Sequence, residues 1–157
     1  MKQIAALALV LFAAYGCSVI PQVEKDSADG QASLSFEPDP NRGVMYLYRD
    51  RDSDFGVVML NIYIAEHTVN TSPGCFVRVE LDPGTYFVEA NHTDVFGFED
   101  EMTFEARAGE VSFFEYKPIS RLVVPGETKI IERSRENAIE TITKQDLCIS
   151  PVVQIGT

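Results

Sequence analysis

From Gly43 onward, apolar and polar residues alternate along much of the chain. "MTFEARA" sends Met102, Phe104 and Ala106 to one side and Thr103, Glu105 and Arg107 to the other, and "CFVRVEL" does the same with Cys75, Val77, Val79 and Leu81 inward. Side chains of a strand point to opposite faces in turn, so a period of two marks strands with one face in a core and one in water. "VMYLYR" and "VVMLNIYI" are apolar at almost every position and predict strands covered on two sides or lying in the middle of a sheet. "SPG" at 72–74, "DPG" at 82–84 and "AG" at 108–109 separate the runs and supply the fixed φ of proline or the permissive φ of glycine that turns need. Short strands at a spacing of roughly ten residues predict a mainly β chain, a single antiparallel β-sandwich-like domain over residues 43–149. One segment breaks the period. Ser134 can cap a helix over about residues 134–146, where Ala138, Ile139 and Ile142 fall at helical spacing and Glu136 lies in the first turn. Its apolar stripe is narrow, which predicts a short C-terminal helix packed outside the sheet, with residues 150–157 as a tail.

The N-terminal part follows a different pattern. "MKQIAALALVLFAAYGCS" has one lysine, an apolar run from Ile4 to Ala14 and then small residues before Cys17, the layout of a secretory signal. At ~1.5 Å of rise per residue the run reaches only about half of a ~30 Å hydrocarbon core, too short for a span. Its end, "AAYGC", resembles the lipobox of bacterial lipoproteins, with Gly16 directly before a cysteine, although Ala14 stands where leucine is usual and Tyr15 is bulky. The resemblance implies removal of residues 1–16, diacylglycerol on the Cys17 thiol and acylation of the new amino terminus. Several acyl chains at roughly 0.8 kcal/mol per buried methylene give stable anchoring to a membrane. The alternative is a plain signal peptide that leaves Cys17 as a free thiol. Residues 17–42 then read as a lipidated N-terminus and flexible linker, because "SVIPQVEKDSADGQASLSFEPDPN" is rich in Ser, Asp, Pro and Gly.

Charge narrows the partners. Thirteen basic residues stand against 24 acidic ones, a formal net charge of −11. Nucleic acid and anionic bilayer surfaces demand basic patches, so neither is an expected partner of the domain surface.

Candidate chemistry is sparse. "DRDSDFG" offers Asp50, Asp52 and Asp54 at alternate positions. A helix-flanked calcium loop counted from Asp50 needs glycine at its sixth position and glutamate at its twelfth, and the chain has Phe55 and Asn61 there, between predicted strands. A solvated turn suits these residues better, with weak calcium binding left open. His67 and His92 stand apart, without metal-ligand spacing to each other or to a Cys/His cluster. No GxSxG elbow or Cys-based nucleophile pattern occurs, so no catalytic residue, metal site or cofactor is expected. Arg49 ends an aromatic strand, where a carboxylate at the sheet rim is its expected partner. Phe96 and Phe98 flank a glycine in "DVFGFEDE", which reads either as an exposed contact loop or as a lid over one end of the sandwich.

With Cys17 carrying lipid, Cys75 and Cys148 remain, and the oxidising compartment implied by the signal favours a disulfide between them. The alternative of free thiols, with Cys75 as a small buried hydrophobe, stays open.

"GVMYLYR", "VELDPGTYFVEA", "ARAGEVSFF" and "KQDLC", in that order, together resemble the bacterial envelope lipoproteins that carry domain of unknown function 2846, over about Gly43 to Cys148. Where that family tends to have a glycine turn after its second strand, this chain has "AEHT" at 65–68. The resemblance implies a small β-sandwich-like domain and no known activity. The expected function is that of a lipid-anchored, non-catalytic envelope protein whose β domain binds or braces another envelope component, with Tyr46, Tyr48, Arg49, Phe96 and Phe98 as possible partner contacts. A small-ligand or glycan-binding module using the edges of Tyr46, Tyr48 and Phe98 is the alternative. Ser18 follows Cys17, which in Gram-negative lipoproteins implies the inner leaflet of the outer membrane, facing the periplasm.

Overall fold

The structure, a computed structural model, describes residues 21–54, 59–90, 100–120 and 127–156. In chain order the elements are α1 (Ala28–Ser35), β1 (Gly43–Tyr48), β2 (Leu60–Ile64), β3 (His67–Thr71), β4 (Cys75–Leu81), β5 (Gly84–Ala90), β6 (Asp100–Ala106), β7 (Val111–Ile119), β8 (Glu127–Arg133), α2 (Arg135–Lys144), β9 (Cys148–Ile149) and β10 (Val153–Ile155). The chain is mainly β and its strands form two packed sheets, a β-sandwich-like arrangement. One sheet runs β10-β4-β1-β7-β8 with β9 also on β4, and the other runs β3-β2-β5-β6. β2 pairs with β3, β5 with β6 and β7 with β8, all antiparallel.

Not every pairing is antiparallel. β1 lies beside β7 in parallel, and β9 and β10 both run parallel to β4. Alternating passes between the two sheets bring β1 and β7 side by side in the same direction, an outcome that strand periodicity does not encode. Residues 150–157, expected as a tail, instead contribute β10, whose Ile155 is buried against Leu81.

The larger sheet is covered on both faces. Met45 and Leu47 of β1, Val77, Val79 and Leu81 of β4, and Phe114 and Tyr116 of β7 meet Ile62, Ile64, Val88 and Phe104 of the smaller sheet in the inter-sheet core. The opposite parity, Val44, Tyr46, Tyr48, Phe76 and Phe113, forms a second core with Ala138 and Ile142 of α2, Leu147, Ile149 and Phe36. This two-sided cover explains why β1 is buried at all six positions. β2 instead alternates, with Leu60, Ile62 and Ile64 inward and Asn61 and Tyr63 half-buried, because it sits in the middle of a sheet with one face in the core.

The helix expected over 134–146 forms at Arg135–Lys144, capped by the Ser134 hydroxyl, which accepts from the Asn137 amide at 3.3 Å. A second helix, α1, lies where a flexible linker was expected. Ser27 caps it by accepting from the Gly30 amide at 3.1 Å, and Phe36 ends it in the left-handed conformation, φ 53°. That backbone costs about 1–2 kcal/mol for a residue with a Cβ. Burying the ring offsets the cost: Phe36 is 5% exposed and lies 5.3 Å from Tyr46, 6.2 Å from Phe76 and 6.3 Å from Phe113, centroid to centroid. The described part of the 17–42 stretch is therefore a piece of the domain. A Ser/Asp/Gly-rich composition concealed one aromatic plug for the outer face of the sheet.

Candidate functional site

Three of the residues expected at a contact surface are interior. Tyr46 and Arg49 are 0% exposed and Tyr48 is 3% exposed, so the reading of these side chains as partner or glycan contacts is corrected. The physical reason is the second core: the face of β1 that carries the two tyrosines is roofed by α1, Phe36 and α2. Each polar tip is engaged under that roof. The Tyr46 hydroxyl donates to the Ser33 carbonyl at 2.9 Å and accepts from Arg78 Nη1 at 2.8 Å. Burial pushes both tyrosine hydroxyls above their usual pKa, with the neighbouring Glu115 carboxylate adding to the effect at Tyr48.

Arg49 stands just past the end of β1 with its side chain buried. Its guanidinium donates to the Thr71 carbonyl at 3.2 Å and the Asp54 carbonyl at 3.4 Å and lies 5.9 Å from the Tyr116 ring centroid. Burial lowers its pKa to about 10. It ties the end of β1 to the end of β3 and to the turn that follows β1.

That turn is the aspartate-rich stretch. The Asp50 carboxylate accepts from the Asp52 amide at 2.8 Å and from Gln145 Nε2 at 3.0 Å. The Arg51 amide donates to Gln145 Oε1 at 3.0 Å and its guanidinium to the Asp146 carbonyl at 3.0 Å. Asp54 Oδ2 accepts from the Ser120 amide at 2.7 Å. Asp50 and Asp54 thus serve different parts of the chain, and the turn is fastened to Gln145 and Asp146, just past the end of α2. Among the described residues no group of three or more His, Cys, Asp or Glu side chains is placed to hold a metal ion. His67 is exposed at the β2–β3 hairpin, whose Ala65 takes φ 51° without a glycine. His92, Phe96, Phe98 and Cys17 lie outside the described residues.

Cys75 and Cys148 form a disulfide, with Cα atoms 4.3 Å apart and in register between β4 and β9. The bridge anchors the strand that follows α2 to the sheet.

The other buried charges are likewise spent on structure. Arg78, 5% exposed, donates through Nε to Glu80 Oε1 at 2.9 Å and through Nη1 to the Glu37 carbonyl at 3.0 Å and the Ala32 carbonyl at 3.4 Å, closing the C-terminal end of α1. Glu115 accepts two bonds from Arg133, at 2.9 and 2.5 Å. A groove of about 450 Å³ runs along β8 beside Asp100, but Asp100 Oδ2 already accepts from the Ile130 amide at 2.7 Å.

What stays open is the outer face of the smaller sheet. On β5, Tyr86, Val88 and Ala90 point into the core, which leaves Thr85, Phe87 and Glu89 on the outside. Phe87 is 49% exposed and stands opposite Thr103. Tyr63 of β2 stands opposite Glu89, one diagonal step away, and Glu101 and Glu105 of β6 are exposed on the same face. The sequence carried a sign of this site: in "GTYFVEA" an aromatic occupies the polar phase of an alternating strand. No helix among the described residues is long and apolar enough to cross a membrane. No family model matches the chain, and no curated protein matches it either.

Proposed function

We propose that this chain is a lipid-anchored envelope protein, held by acyl chains on Cys17, whose non-catalytic β domain binds another envelope component through the outer face of its smaller sheet. The observation that carries the reading is the asymmetry between the sheets. The larger is roofed on both faces, whereas the smaller presents Phe87 and Tyr63 to solvent within a polar, acidic surround. Large aromatics in a polar rim are typical of protein contact patches. Membership of the domain of unknown function 2846 lipoproteins rests on the order of strand and turn motifs and fits the same reading. Ser18 after Cys17 points to the inner leaflet of the outer membrane.

The test is a photo-crosslinking side chain in place of Phe87 in intact cells, compared with one in place of Glu140 on the exposed side of α2. A discrete adduct at 87 and none at 140 is expected, and no adduct at 87 removes the binding face. Intact mass of the envelope form checks the anchor. A chain beginning at Cys17 with diacylglycerol and an amide-linked acyl group is required, whereas an alkylatable Cys17 thiol refutes lipidation.

The glycan-binding alternative loses Tyr46 and Tyr48 to the interior, and no observation among the described residues favours it.

A further inference from the structure

We infer that the lipid anchor holds this domain against the bilayer by one fixed pole, formed by residues 22–26, the turn at 50–53 and the end of α2, and does not let it swing on a long tether. The inference rests on the reading of Cys17 as lipidated. Its own support is where the fold begins. The Val23 amide donates to the Ile149 carbonyl at 2.9 Å, and Lys25 forms an ion pair with Asp146. The Lys25 carbonyl accepts from Gln31 Nε2 at 2.7 Å, and the Glu24 carbonyl from the Ser27 hydroxyl at 2.6 Å. From Val23 onward the chain is tied down, and the strand it is tied to is itself fixed by the Cys75–Cys148 disulfide.

Chain length does the rest. Five residues lie between Cys17 and Val23, and even fully extended the span from one to the other is at most about 20 Å. A domain of this size has a radius of gyration near 14 Å and a width of roughly 35 Å. The leash is shorter than the body it holds, so the pole beside Val23 must face the headgroups. The opposite end of the larger sheet, at the Gly109 turn where the Gly109 amide donates to Asp39 and Arg42 carbonyls, must face away.

The surface charge of the pole selects the kind of bilayer. Glu24, Asp26, Asp50, Asp52 and Asp146 outnumber Lys25, Arg51 and Lys144 there. Such a surface is repelled by anionic headgroups and tolerates zwitterionic ones. The partner surface is therefore a zwitterionic leaflet, and proximity comes from covalent length, not from adsorption.

The experiment uses the full lipidated chain in phosphatidylcholine vesicles containing a headgroup quencher, with a fluorophore attached at Asp52→Cys or at Ala108→Cys, both exposed positions. Loss of fluorescence at 52 and little loss at 108 is expected. Inserting about forty Gly/Ser residues after Ser18, with a mean span of about 35 Å, should abolish the difference. Equal quenching at the two positions in protein that floats with the vesicles overturns the inference and leaves the lipid anchor standing. Protein that fails to float overturns the lipid reading, and the inference with it.

Discussion

Arg78 shows how much of this fold hangs on single side chains. On β4 it alternates with Val77 and Val79, so periodicity marks it as solvent-facing, yet it bonds Glu80, Tyr46 and two carbonyls around the end of α1. Replacing it by methionine strands those carbonyls under the roof, at a cost of about 2–4 kcal/mol. Arg78→Met should lower the urea midpoint accordingly, and Arg78→Lys should recover less than half, because an ammonium lacks the planar fork. An unchanged midpoint in Arg78→Met would show the clasp to be idle. Tyr46 and Tyr48 give a pH prediction. Burial raises both hydroxyls above the usual value near 10, so the folded state holds these protons more tightly than the unfolded chain does. The associated stability is full below pH ~10 and is lost as pH rises through the folded values. Absorbance titration should therefore show these two tyrosines ionising only together with loss of near-ultraviolet circular dichroism; early reversible ionisation of every tyrosine, Tyr46 and Tyr48 included, would contradict it. Tyr46, Tyr48 and Arg49 were misplaced by sequence because a period of two assigns a side chain to a face but does not say whether that face is covered.

Among the elements, β9 is the shortest strand and among the most consequential. Two residues long, it carries Cys148 opposite Cys75 and offers the Ile149 carbonyl to Val23. The bridge spans 73 positions of sequence, and closing such a loop is worth about 4 kcal/mol in the loop-entropy description. The double variant Cys75→Ser, Cys148→Ser should lose stability on that order in denaturant unfolding, and amide exchange should accelerate first in β9 and in residues 22–26. Uniform acceleration across both sheets would mean that the bridge has no local role. The pair was legible because the expected secretion signal and lipid on Cys17 implied two remaining cysteines in an oxidising compartment, where pairing is favoured; the parallel β9–β4 register that aligns the two residues was not. α2 announced itself through Ser134 and its apolar spacing. α1 did not, since its burial comes down to Gly30 and Ser33 and the chief hold is Phe36, just past its end.

At the scale of the whole molecule, the larger sheet needs its roof. A chain starting at Gly43, where the alternating pattern begins, would lack α1 and Phe36 and would bare the rings of Tyr46, Phe76 and Phe113. One starting at Pro21 keeps them. Thermal unfolding should find the shorter chain less stable by about 3–5 kcal/mol, the usual cost of removing a large buried aromatic, and binding of a hydrophobic dye should rise; equal stability of the two would return residues 21–42 to the status of linker. The strands β1, β2, β4 and β6, the turns beside them, the mainly β class and the C-terminal helix were determined by sequence alone, because period-two alternation, Pro/Gly turn chemistry and a helix cap are local properties of neighbouring residues. Which faces are roofed, the parallel neighbours β1 and β7, the recruitment of residues 22–36 and of β10 into the domain, and the choice of the Phe87 face as the open one were decided only by tertiary structure, since each depends on segments tens of residues apart meeting across a sheet.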